Sequence, residues 1–123
     1  MANGIIRSRR HSTPDETATD DAAISPQVLS PASLHAMLER HELGGAIAGR
    51  PWTLCGYGLG VMSGRMGDAG NAVGHSGGGP HGVNAIYHFP DLASPITVAC
   101  FTDGENEGFA ESEAVSIALR VGA

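Results

Sequence analysis

The stretch Gly74-His75-Ser76-Gly77-Gly78-Gly79-Pro80 constrains this chain more than any other. Four glycines, one imidazole and one hydroxyl lie together and end in a proline, which cannot donate to a sheet. Glycines packed this densely let a backbone approach a ligand closely. Strand-like segments flank the stretch. Ala72-Val73-Gly74-His75 leads into it. Beyond it, Val83, Ala85, Tyr87 and Phe89 alternate with Asn84, Ile86 and His88.

The remaining elements fall into place around that centre. Residues 1–27 carry little that could be buried and segregate Arg7, Arg9 and Arg10 from Asp15, Glu16, Asp20 and Asp21, the pattern of a mobile arm. Order is expected over residues 28–123. Ser30-Pro31 reads as a helix start, with Leu34, Met37 and Leu38 at helical spacing and an end near Arg40. Trp52 is the single Trp and a natural anchor. Tyr57, Leu59 and Val61 alternate with Gly58, Gly60 and Met62, which predicts a strand from about Gly56. Gly64 to Gly70 then reads as a turn. Ile96 to Thr102 is the most β-prone run. Its two apolar faces suit an interior strand. Ala110, Ala114, Ile117, Ala118 and Val121 mark one face of a terminal helix. Glu105, Glu107, Glu111 and Glu113 crowd its start and Arg120 its end, as the helix dipole prefers. The fold class is therefore α+β: an antiparallel meander of three or four strands with flanking helices.

Charge and composition narrow the chemistry. The 123 residues allow one small domain. The net charge of −6 argues against a nucleic-acid binder. All seven cations are Arg, so this chain can host no lysine base or Schiff base. Cys55 and Cys100 match no metal or redox spacing and read as small buried hydrophobes, so no metal or other cofactor is expected. No apolar run is long enough to cross a membrane, and Ser8-Arg9-Arg10 lacks the apolar segment of an export signal. The cytoplasm is the default compartment.

Two chemical readings compete for the glycine cluster. Gly74-His75-Ser76-Gly77-Gly78 fits G-x-S-x-G, the nucleophile elbow of α/β-hydrolases. That elbow needs a following helix and a downstream acid and His. Here a strand follows, and no acid lies between Ser76 and His81 or His88. The other reading is a glycine-rich strand that lines a cleft with its edge, where free N–H and C=O groups meet an extended ligand and stabilise an oxyanion. On the plainest reading of all, His75 is a structural strand residue and the glycines only turn the chain.

Several motifs occur in a meaningful order: Gly56-Tyr57-Gly58-Leu59-Gly60, Gly74-His75-Ser76-Gly77-Gly78, the strands at Ile86-Tyr87-His88-Phe89 and Ile96 to Thr102, and the terminal helix. Together they resemble the C-terminal part of serine β-lactamase-like hydrolases. That family includes class C β-lactamases, penicillin-binding DD-peptidases, D-aminopeptidases and related esterases. His75-Ser76-Gly77 is similar to the His-x-Gly form of the family's third motif. The resemblance implies that His75 supplies a positive or hydrogen-bonding group near the substrate, that Ser76 donates to it, and that Gly77 and Gly78 complete the oxyanion side. It implies a small-molecule or peptide-like amide or ester substrate for the full-length protein.

The family's Ser-x-x-Lys nucleophile motif and its Tyr-x-Asn motif are missing. The chain alone is therefore expected to be inactive and to represent the C-terminal portion of a β-lactamase-like domain. In the family, the strand at Ile96 to Thr102 pairs with N-terminal strands. Without them it would be a bare edge, open to self-association or to the missing N-terminal part. The rival function is a non-catalytic module, or gene remnant, that binds a partner through that open edge.

Overall fold

The computed structural model describes residues 27–40 and 42–123. The expected arm, residues 1–27, lies outside them except at its last position. From Ala32 onward the chain forms one compact unit. Its elements are α1 (Pro31–Leu38), β1 (Glu42–Gly44), β2 (Leu54–Tyr57), β3 (Met62–Arg65), a 3-10 turn (Gly67–Ala69), β4 (Asn71–Gly79), β5 (Gly82–Phe89), β6 (Ile96–Thr102) and α2 (Glu107–Val121). The sheet is a meander. Its six strands run antiparallel in sequence order, and β6 is one edge. The α+β class holds, with more strands than the periodicity predicted. Among the described residues no helix is long and apolar enough to cross a membrane.

The differences from expectation have local causes. The alternation Tyr57, Leu59, Val61 is no single strand. Gly58 N–H donates to Val61 O at 2.8 Å and Gly60 sits at φ 80°, so β2 and β3 meet there in a tight turn. Glycines supply the apparent period without a pleat. The glycine cluster is not a turn either. β4 runs straight through it to Gly79 and turns only at Pro80-His81. β6 is an edge strand because it pairs with β5 alone among the described residues, and only one of its apolar faces is covered: Val98 is 6% exposed and Phe101 is 74% exposed.

Burial follows the strand period. On β5, Val83, Ala85, Tyr87 and Phe89 are buried, while Asn84, Ile86 and His88 are exposed. α2 covers the buried face. Ala110, Ala114 and Ala118 on its inner side bring the helix backbone close to the sheet. Asn106 caps the helix, its Oδ1 accepting from Phe109 N–H at 3.3 Å, and the Gly122 N–H ends it on Ala118 O at 2.7 Å. Trp52, 1% exposed, packs edge-on against Tyr87 with ring centroids 5.4 Å apart. Such a pair adds about 0.5–1.5 kcal/mol beyond its buried area. α1 buries none of its residues; it touches the β2–β3 turn, where Leu59 N–H donates to Met37 O at 3.0 Å.

Candidate functional site

The pairing of β4 changes partway along its length. Asn71 to Gly74 pair with β3, Val73 and Gly74 with β5 as well, and the β3 ladder ends at the Met62–Gly74 pair. From His75 to Gly79 the strand pairs with β5 alone. The turn at Gly58–Val61 is what stops β3 short. Among the described residues the glycine cluster thus has one lateral side without a strand, although Val73 and Gly74 are interior. A backbone with a free side of this kind can accept an extended ligand as an added strand.

His75 stands at the start of that free segment and is exposed. Its Nδ1 lies 2.5 Å from Ser76 O and its Nε2 lies 2.5 Å from the Tyr57 hydroxyl. A carbonyl only accepts, so Nδ1 donates to Ser76 O and Nε2 bonds the Tyr57 hydroxyl. The two rings meet edge to face with centroids 5.7 Å apart. Tyr57 comes from the end of β2, and the sequence reading gave it no role. It holds the imidazole beside the free edge.

Ser76 points the other way. It is 4% exposed, on the face under α2. Its Oγ lies 3.0 Å from Glu107 Oε2 and 2.9 Å from Glu111 Oε1, and it accepts from Arg50 Nη2 at 3.0 Å. The hydroxyl is engaged below the sheet, on the side opposite His75. Nor is this an elbow: Ser76 sits inside a strand opposite Ala85 rather than on a strand-to-helix turn.

The glycines differ in what they do. A Cβ on Gly74 would collide with the Ile86 carbonyl oxygen and lie 2.7 Å from the Tyr87 ring. Gly74 is required for β4 to lie against β5. Gly78 is tight, its Cβ position 3.1 Å from Glu107 Oε1 and from Val83 Cγ1. Gly77 has only Asn84 at 3.8 Å and Gly79 has nothing within 4 Å. None of these four has positive φ. Neither space nor backbone conformation calls for glycine at positions 77 and 79.

Below the site lies a buried polar network centred on Glu111, which is 0% exposed. Arg50 grips its carboxylate with two bonds, Nε to Oε2 at 2.7 Å and Nη2 to Oε1 at 2.5 Å. Trp52 Nε1 donates to Oε1 at 3.2 Å and Tyr87 OH at 3.0 Å. Burial pushes the Glu111 carboxyl up. The hydrogen bonds from Arg50, Trp52 and Ser76 outweigh it and leave the carboxyl below the ordinary glutamate value. Its bond to Glu111 raises Arg50 further above its already high value. Burial, first, raises the Tyr87 phenol well above its usual range.

Glu111 corrects the sequence reading, which placed it among acidic residues favouring the helix dipole. It is instead the buried counter-charge that ties Arg50, in the loop between β1 and β2, to α2. Among the described residues no group of three or more His, Cys, Asp or Glu side chains is placed to hold a metal ion. Of the residues singled out from sequence, His75, Gly77 and Gly78 lie along the free segment of β4, and Ser76 turns away beneath it. No protein-family profile, curated protein or solved structure matches this chain.

Proposed function

We propose that this chain forms the substrate-binding, oxyanion-side wall of a serine β-lactamase-like amide or ester hydrolase whose nucleophile lies outside these 123 residues. The observation that carries the reading is the end of the β3 ladder at Gly74, which frees one side of the His-x-Gly segment. An acyl group laid along His75 to Gly79 would meet backbone N–H groups that stabilise negative charge on a carbonyl oxygen. His75, held by Tyr57, would face the ligand's polar end. Gly77 and Gly79 support the same reading, since the fold does not need them as glycines and a closely approaching ligand would.

The covalent step has no residue here. The chain has no lysine, and Ser76 is bound to carboxylates on the covered face. The full chain is therefore expected to give no covalent adduct with a fluorescent penicillin or a fluorophosphonate probe on a denaturing gel. Labelling that vanishes in Ser76→Ala would overturn this account and make Ser76 a nucleophile. The exposed edge of β6 favours a second reading, a module that associates through its sheet.

A further inference from the structure

The free side of β4 is not open along its whole length. Pro80-His81 form a two-residue turn flanked by the Gly79–Gly82 pair. Such a pair is hydrogen-bonded across the mouth of the turn. Bonded and non-bonded pairs alternate along an antiparallel ladder. Gly77 and His75 therefore direct their backbone N–H and C=O groups to β5. Gly78 and Ser76 direct theirs to the other side, where β3 has ended. The β2–β3 turn sets the same phase. Gly58 N–H donates to Val61 O, so Tyr57–Met62 is a non-bonded pair and Met62 faces Gly74, two residues before Ser76.

The two outward residues differ. Gly78 is exposed. Ser76 is 4% exposed, backbone included, although among the described residues no strand lies beside it. Its outward carbonyl is covered by His75, whose Nδ1 lies 2.5 Å from Ser76 O. The imidazole thus occupies the lane that β3 leaves, and the Tyr57 hydroxyl, 2.5 Å from Nε2, holds it there from the end of β2. At the other end, the next outward position is Pro80, which lies in the turn and has no N–H. Between the imidazole and the turn one backbone pair remains, the N–H and C=O of Gly78.

We propose that His75 and Tyr57 set the specificity of this edge: it takes a compact acyl compound that bonds Gly78 alone, and it shuts out an extended polypeptide strand. The proposal rests on the reading of the β4 edge as an acyl-binding wall. A strand added to a sheet draws its affinity from a row of main-chain hydrogen bonds. Here such a row needs Ser76 as well as Gly78, and the imidazole covers Ser76. A single acyl group needs no row. Its carbonyl oxygen accepts from the Gly78 N–H, and the exposed backbone there lets it approach. His75 is the blocking group, and Tyr57 is a positioning residue that acts through it.

Two NMR measurements on the full chain test it. Amide hydrogen exchange reads the block without any ligand. In the wild type the Ser76 amide should be protected about tenfold more than the Gly78 amide. In His75→Ala the two should be protected alike. Tyr57→Phe keeps the ring and loses the hydroxyl, so Ser76 protection should fall about threefold. Both side chains are exposed, and unchanged protection of the Tyr87 amide in β5 shows that the sheet is intact. Titration reads the specificity, with benzylpenicillin and with a blocked five-residue peptide of alternating threonine and valine as probes. The penicillin should shift Gly78 in the wild type. The peptide should bind His75→Ala about tenfold more tightly than the wild type. A wild-type Ser76 amide that exchanges as fast as Gly78 overturns the proposal, and so does a peptide affinity unchanged in His75→Ala. A wild type that ignores benzylpenicillin while Ser76 keeps its protection contradicts the acyl-wall reading alone.

Discussion

Glu111→Ala is expected to unfold most of the protein at room temperature. The substitution takes the bidentate partner from the Arg50 guanidinium, leaving it only Glu107 at 3.6 Å, orphans the Trp52 donor and leaves the Tyr87 hydroxyl only Met62 Sδ at 3.3 Å. Removing one member of a buried ion pair costs about 3–5 kcal/mol. The stranded Trp52 donor adds about 1–3 kcal/mol. A domain has about 5–15 kcal/mol in total, so the loss consumes most of it. Glu111→Gln keeps the shape and an acceptor and should cost less, because Arg50 retains 23% side-chain exposure. A double replacement of Arg50 and Glu111 by leucine should be less harmful than Glu111→Ala alone, since no charge is left buried. Circular-dichroism melts measure all three. A Glu111→Ala melt within a few degrees of wild type would mean that the network does not hold α2 to the sheet.

The same carboxylate sets an acid limit. In the folded protein Glu111 holds its proton less tightly than in the unfolded chain. The unfolded state then binds more protons, so stability rises with pH across the window between the two values. The contribution is complete above the ordinary glutamate value of about 4.3 and is lost as pH falls through the lower folded value. Asp91, held below its usual range first by the Asn71 backbone N–H, acts in the same direction. The midpoint should therefore fall below about pH 4.3, and Glu111→Gln should flatten that fall without abolishing it.

The second large effect is expected within the glycine cluster, and it separates structural glycines from the others. Gly74→Ala places a methyl against the Ile86 carbonyl, part of the β5 backbone held in the sheet, and against the fully buried Tyr87 ring. Neither can move without parting β4 from β5. Overpacking of this kind costs about 1–3 kcal/mol, and more where backbone is what obstructs. Gly77→Ala and Gly79→Ala meet open space and should melt like wild type or slightly higher, because alanine lowers the entropy of the unfolded chain. Equal destabilisation at all three positions would make the cluster purely structural and remove one support for a ligand at its edge.

Much of this architecture could be read from residue pattern alone, for identifiable reasons. Gly82–Phe89 and Ile96–Thr102 have side chains that declare their period, and their strands lie where the pattern put them. The terminal helix announces itself through Ala110, Ala114 and Ala118. β2 and β3 were hidden because Gly56, Gly58, Gly60 and Gly64 carry no side chain by which to mark a face. The site divides along the same line. His75, Gly77 and Gly78 stand out by composition, whereas Arg50, Tyr57 and Tyr87 contribute through contacts 18 to 61 residues apart in the chain. Glu111 was misread because an acidic residue early in a helix has an ordinary explanation. The only hint of burial was its place beside Ala110 and Ala114, on the border of the apolar stripe.

The claim that matters most is that the unpaired side of β4 binds an acyl compound. Amide chemical shifts of the full chain, followed by NMR during titration with benzylpenicillin, test it most directly. The account predicts shifts concentrated at His75, Gly77, Gly78 and Gly79, with Tyr57 responding through the imidazole and the Ile96–Thr102 strand unmoved. A titration to saturation that leaves His75 to Gly79 unperturbed, or that moves only β6, would contradict it.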